Sequence, residues 1–71
     1  MNSISVLAHI DKTGKQQKVS LDENATVLKL LQTLKINPVT VIVSRNSELI
    51  LETEKLNDND ELKILSVISG G

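Results

Sequence analysis

Gly70 and Gly71, the last two residues of the sequence, carry its clearest chemical reading. Inside a fold, adjacent glycines usually mark a turn that needs positive φ. At a chain end there is no turn to close. The pair then predicts a flexible tail without side chains, tipped by the Gly71 carboxylate. Such a tail can thread a narrow channel and reach another protein's catalytic groups. A carboxylate resists acyl transfer because its charge is delocalised and its leaving group is poor, so it must first be activated. The competing reading is a frayed terminus without a role, since termini are commonly disordered. A strand-like run, Leu62 to Val67, feeds directly into Ile68-Ser69-Gly70-Gly71 and favours the tail.

Elsewhere the sequence offers little chemistry of its own. Nucleophilic catalysis needs an activated Ser or Cys with a base in reach. Here there is no cysteine and a single histidine, His9. His9 falls on the outward side of a strand pattern, where a plain surface histidine is the simpler reading. A lone histidine also does not supply a metal site, which needs clustered ligands at set spacing. Asp58, Asp60 and Glu61 are dense enough to suggest a cation site. The run Asn57 to Glu61 lacks the ligand pattern and glycine of a calcium loop, so a solvated turn is expected. No phosphate-cradling glycine loop is present. The sequence reads as a non-enzyme with no bound cofactor or metal.

Composition narrows the class further. With 71 residues, one small domain is the limit, burying only about 60% of its unfolded surface. No Phe, Tyr or Trp is available, so the core must be aliphatic. A formal charge of −1 and the lack of aromatic stacking groups argue against direct nucleic-acid binding. No apolar run approaches the ~20 residues of a membrane span, and no signal peptide is visible. A monomer in the cytoplasm is expected.

The elements that must hold the tail can be traced along the chain. Ile4, Val6, Ala8 and Ile10 alternate with Ser5, Leu7 and His9, the period of a strand with one buried face. Asp11-Lys12-Thr13-Gly14 is turn chemistry, with Gly14 taking a left-handed position. A second strand runs over Gln17 to Leu21, with Val19 and Leu21 inward. Thr26, or alternatively Asn24, is placed to cap a helix. Val27, Leu30, Leu31 and Leu34 mark its buried stripe, Ile36 closes the core, and Asn37-Pro38 is expected to end the helix. Val39, Val41 and Val43 predict a third strand. Arg45 to Glu48 turns the chain into a short edge strand, Leu49-Ile50-Leu51. Leu56 returns to the core, Asn57 to Asp60 turns again, and Leu62 to Val67 forms the last strand, with Leu62 and Ile64 inward. The order predicts an α+β fold in which one main helix covers one face of a mixed sheet of four to five strands. The domain spans residues 1–67, and residues 68–71 form the tail.

This order, with Thr26-Val27-Leu28 opening the helix, Asn37-Pro38 after it, and Leu56-Asn57-Asp58-Asn59-Asp60-Glu61-Leu62-Lys63-Ile64 running on to Ser69-Gly70-Gly71, resembles the β-grasp, ubiquitin-like sulfur carriers and modifiers. That group includes the thiamin-biosynthesis sulfur carrier, the small subunit of molybdopterin synthase, the ubiquitin-related modifier and the archaeal small modifiers. The composition and the Val67-Ile68-Ser69 lead-in look most like an archaeal or ubiquitin-related modifier. Members often carry Gly where Asn59 stands, and Asn tolerates the left-handed geometry such a turn needs.

The resemblance implies that a ubiquitin-activating-type enzyme adenylates the Gly71 carboxylate with its own ATP. The product would become a thiocarboxylate, for tRNA thiolation or cofactor synthesis, or be joined to target lysines. Gly70 and Gly71 would serve through lack of bulk. The resemblance also implies a partner-binding sheet face at Leu7, Ile42 and Leu65, with His9 and Lys63 nearby, continuing through Val67 and Ile68. The other reading is a passive interaction domain with an incidental Gly-Gly.

Overall fold

The computed structural model describes residues 2–67. Five strands form one sheet in the order β2-β1-β5-β3-β4. They are β1 (Ser3–Ile10), β2 (Lys15–Asp22), β3 (Val41–Arg45), β4 (Glu48–Ile50) and β5 (Glu61–Ser66). One helix, α1 (Val27–Thr33), and one 3-10 turn (Pro38–Thr40) complete the described elements. β1 and β2 form the expected antiparallel hairpin, closed at Asp11 to Gly14 with Gly14 at φ +68. β5 pairs parallel with β1 and antiparallel with β3, so the sheet is mixed.

The alternation read from the sequence is the burial pattern of the sheet. Ile4, Val6 and Ala8 of β1, Val19 and Leu21 of β2, and Leu62 and Ile64 of β5 are buried with Val27, Leu30 and Leu31 of α1. Leu56 is 1% exposed, so the polar connection after β4 does return one side chain to the core. Ile10, Leu34, Ile36, Val41 and Ile50 pack around this cluster and are only partly covered.

β2, β4 and β5 shift by one or two residues from expectation at their ends, and two boundaries differ for a physical reason. The helix stops at Thr33, not at Asn37-Pro38. Leu34 is its C-cap, and Lys35 takes a left-handed φ of 60. The Lys35 N–H donates to the Gln32 carbonyl and the Ile36 N–H to the Leu31 carbonyl. These paired bonds are the Schellman arrangement, in which the left-handed position is usually glycine. Lysine there conceals the stop from sequence reading. The second boundary is the third strand, which begins at Val41 and not at Val39. Pro38 fixes the first φ of the 3-10 turn, the Asn37 side chain accepts the Val39 N–H at 3.0 Å, and Val39 is left 76% exposed.

The start of α1 is also held differently from a simple capping motif. Thr26 is the N-cap, but its bond from the Lys29 N–H is long, at 3.5 Å. The Val27 and Leu28 N–H groups instead donate to the carbonyls of Glu54 and Glu52, at 3.0 and 2.9 Å. The connection between β4 and β5 therefore satisfies donors that a short helix would otherwise leave unpaired. Arg45 anchors the same connection, donating to the Lys55 carbonyl, Asp60 Oδ2 and Glu54 Oε2 at 3.0 to 3.1 Å.

Because Lys35 carries a Cβ in a left-handed conformation, Lys35→Gly relieves steric strain that outweighs the added freedom of the unfolded chain. The expected result is a gain of about 0.5–1 kcal/mol in chemical denaturation, with an unchanged denaturant slope.

Candidate functional site

The end of β5 is the last part of the frame that leads to the two glycines. Its register places Ser66 opposite Val41, Leu65 opposite Ile42 and Ile64 opposite Val43. One residue further, the Val67 N–H donates to the Thr40 carbonyl at 3.0 Å. Thr40 is itself held twice by Asn37: its N–H and its Oγ1–H both donate to the Asn37 carbonyl, at 3.0 and 2.8 Å. The 3-10 turn thus presents a fixed acceptor to the root of the tail. Sequence reading treated Asn37-Pro38 as a helix stop and missed this use. The available signal was Asn before Pro, which suits a cap and first position of a new turn. Ile68, Gly70 and Gly71, named from the sequence as site residues, lie outside the described residues.

The outer sheet face carries the remaining sequence-named residues. Leu65 and Ile42 are direct cross-strand neighbours, so the fold brings them together. Ile42 is 38% exposed and Val67, just beyond, is 52% exposed. Leu7 shares the face but stands opposite Glu61, four residues from Leu65 along the strand direction. At about 3.3 Å per residue that separation is about 13 Å. Between them lies a polar row in which His9 stands opposite Lys63 and Lys63 opposite Ser44. Leu49 stands opposite Ser44 and is 68% exposed, adding an apolar residue that the sequence reading had only placed on the edge strand. His9, Ser44, Leu49, Lys63 and Leu65 line one shallow depression on this face.

The chemistry-bearing side chains elsewhere are occupied with structure. Asp58 Oδ1 accepts the Ser5 N–H at 2.8 Å, and Asp60 Oδ2 accepts the Asn57 N–H at 2.8 Å as well as Arg45. Asn59, at φ 68, adopts the left-handed backbone its turn requires. His9 Nε2 stands 3.8 Å from Glu61 Oε2. No helix among the described residues is long and apolar enough to cross a membrane.

Comparison with known proteins matches this geometry to a family. The sequence model of the ThiS family matches residues 5–71. Sulfur carrier protein TtuB of Thermus thermophilus is 33% identical over 57 residues, covering 80% of this chain and 88% of that protein. Among solved structures, the ubiquitin of Caldiarchaeum subterraneum superposes with a TM-score of 0.74 at 19% identity, over 99% of this chain and 100% of that one. A ubiquitin-like domain from Arabidopsis thaliana superposes with a TM-score of 0.77 at 15% identity, over 100% and 84%. At such identities the structures establish a shared fold: the ubiquitin-like β-grasp.

If Asn37 fixes the tail root through Thr40, Asn37→Ala loosens it without opening the core. Loss of a cap of this type costs about 1 kcal/mol. The expected outcome is about fivefold faster hydrogen exchange at the Val67 amide, with exchange at Val6 and Leu62 unchanged.

Proposed function

The chain belongs to the ThiS family, and on that footing we propose that the Gly71 carboxylate is the group its partners activate and load. The protein is a sulfur carrier, and on this proposal it is a co-substrate activated by its partner. A carboxylate oxygen of Gly71 attacks the α-phosphorus of ATP on an adenylating partner, and pyrophosphate leaves. Hydrosulfide from a sulfur donor then attacks the acyl carbon of the adenylate and AMP leaves, which yields a thiocarboxylate. That sulfur passes to an accepting enzyme, for tRNA thiolation or for cofactor synthesis. The same acyl-adenylate could instead pass to a partner's cysteine and then to a lysine amine, which makes the protein a modifier. Both fates need the same narrow, side-chain-free end.

The observation that supports this most is the extent of the family match, which runs through both glycines to residue 71. The described frame suits the task. The strand leading to the tail is paired with β1 through Ile64 and with β3 through Ser66, and the Val67 N–H is bonded to Thr40. With no phosphate-binding loop in the sequence, the adenylating partner must hold the ATP. That partner is proposed to rest on the outer face at Ile42, Leu65 and Val67, continuing to Ile68, with Leu7 as a separate contact. A passive interaction domain ranks second, because it leaves the terminal glycines without a purpose.

Two measurements check the proposal. Gly71→Ala and deletion of Gly71 should lower ATP–pyrophosphate exchange by the adenylating partner about 100-fold or more, since misplacing the reacting atom by an ångström costs that much. Thermal melts of both variants should match the parent. Normal exchange by the deletion variant would overturn the proposal. Ile42→Asp should weaken binding to the same partner by about tenfold, as expected for an apolar contact near an interface centre. Unchanged affinity would remove the outer face from the interface.

A further inference from the structure

Charge is sorted along the strands of this molecule. β1 and β5 run parallel, so both end at the pole where the chain passes Val67. The β1–β2 hairpin tip, the end of α1 and the start of β3 share that pole: Ile10 stands opposite both Lys15 and Ile64, and Val41 stands opposite Ser66. Lys12 and Lys15 lie at the hairpin tip and Lys35 just past the helix. All three are exposed, and none forms an ion pair among the described residues. Asp11 is the acid in their midst. At the far pole stand Asp22, opposite Ser3, Glu48, opposite Arg45, and Glu61, opposite Leu7. Glu23, Asp58 and Asp60 adjoin them, and with Arg45, Lys55 and Lys18 also there the pole is acidic on balance. A net charge of −1 therefore hides a basic pole at the tail and an acidic pole behind it.

A groove opens at the basic pole, on the helix side of the sheet. Ile10, Leu34, Ile36 and Val41, all half-buried, line it with Ile64 and with Lys12 among its polar residues. The groove and the root of the tail share Thr40 and Ser66 as neighbours.

We propose that this lysine collar and its groove dock an acidic segment on the protein that receives the tail: an apolar side chain flanked by Asp or Glu, at the mouth of the receiving channel. This rests on the reading that Gly71 is handed to an adenylating partner, and it adds a surface on the opposite side of the sheet from Ile42 and Leu65. Charge complementarity supplies the argument for the occupant. Clustered unpaired cations around an apolar groove attract carboxylates, and complementary charge raises association rates by about 10- to 1,000-fold at low salt. Oriented charge also turns the tail, and not the acidic rear, toward an acidic mouth. RNA phosphates would meet the same lysines, but the far pole repels them and no aromatic residue is present to stack a base.

Stopped-flow association with the purified adenylating partner tests the proposal, run from low salt to 0.5 M as a concentration chosen to screen exposed charges. The triple reversal Lys12→Glu, Lys15→Glu, Lys35→Glu should slow association about tenfold or more at low salt, and the difference should vanish at high salt. The far-pole reversal Glu23→Lys with Glu48→Lys should leave the rate within about twofold, since those charges face away. Ile36→Ser should speed dissociation. Gln17→Trp should do so too; it changes an exposed groove residue and leaves the core intact. Equal, salt-insensitive rates for all variants would overturn the proposal, as would equal slowing by both reversals. Competition by total tRNA that is lost in the triple reversal would assign the collar to nucleic acid and overturn it as well. Adenylation at saturating partner separates the two readings. If the collar variants reach the parent's maximal rate, Gly71 activation stands and the collar is judged on association alone. If the parent is never adenylated, the tail reading fails and the collar falls with it.

Discussion

The parallel seam between β1 and β5 is the constraint on which the rest of the structure depends. Two parallel strands cannot be joined by a tight turn, so the chain between them must leave the sheet and return. It does so through β2, α1, β3 and β4, and the single helix covers the face that the returning strand completes. The seam is extended at its start by the 57–60 turn. The Ser5 carbonyl accepts the Asn59 N–H at 2.7 Å, and the Leu7 N–H donates to the Asp60 carbonyl at 2.8 Å. The Asp58 and Asp60 carboxylates stabilise this turn, with Arg45 tying it to β3. β5 thus enters the sheet already in register.

That placement serves a carrier. β5 is paired with β1 through Ile64 and with β3 through Ser66, so the strand is held firmly up to the point where the chain leaves the sheet. Under the proposed activation of Gly71, the chemistry would ask no catalytic group of the domain. It would ask for a recognisable body in a fixed relation to the chain that leaves it. The bond from Val67 to Thr40 supplies the relation, through a turn capped by Asn37.

Much of this was legible in the residues themselves. Period-two alternation marked β1, β2 and β5, and the stripe Val27, Leu30, Leu31, Leu34 marked α1, because burial on one face leaves that signature. Leu56 was recognisable as a lone aliphatic in a polar run. The helix end was not legible, because Lys35 occupies a left-handed position where glycine is the usual sign. Val39 misled for a related reason: its β-branched side chain suggests a strand, while Pro38 and the Asn37 cap impose a turn. The separation of Leu7 from Leu65 was hidden too. Alternation assigns residues to a face, but only the register between β1 and β5 shows how far apart on that face they stand. The lysine collar needed the same information, since its members are distant in sequence and meet only through strand pairing and the return of α1.

The most direct test of the carrier account is the intact mass of this protein after incubation with its adenylating partner, ATP and a sulfur donor. The account predicts a mass increase equal to replacing one oxygen by sulfur, located by fragmentation at Gly71 and absent when ATP is withheld. An unchanged mass, with a partner shown to load its own established carrier under the same conditions, would contradict it.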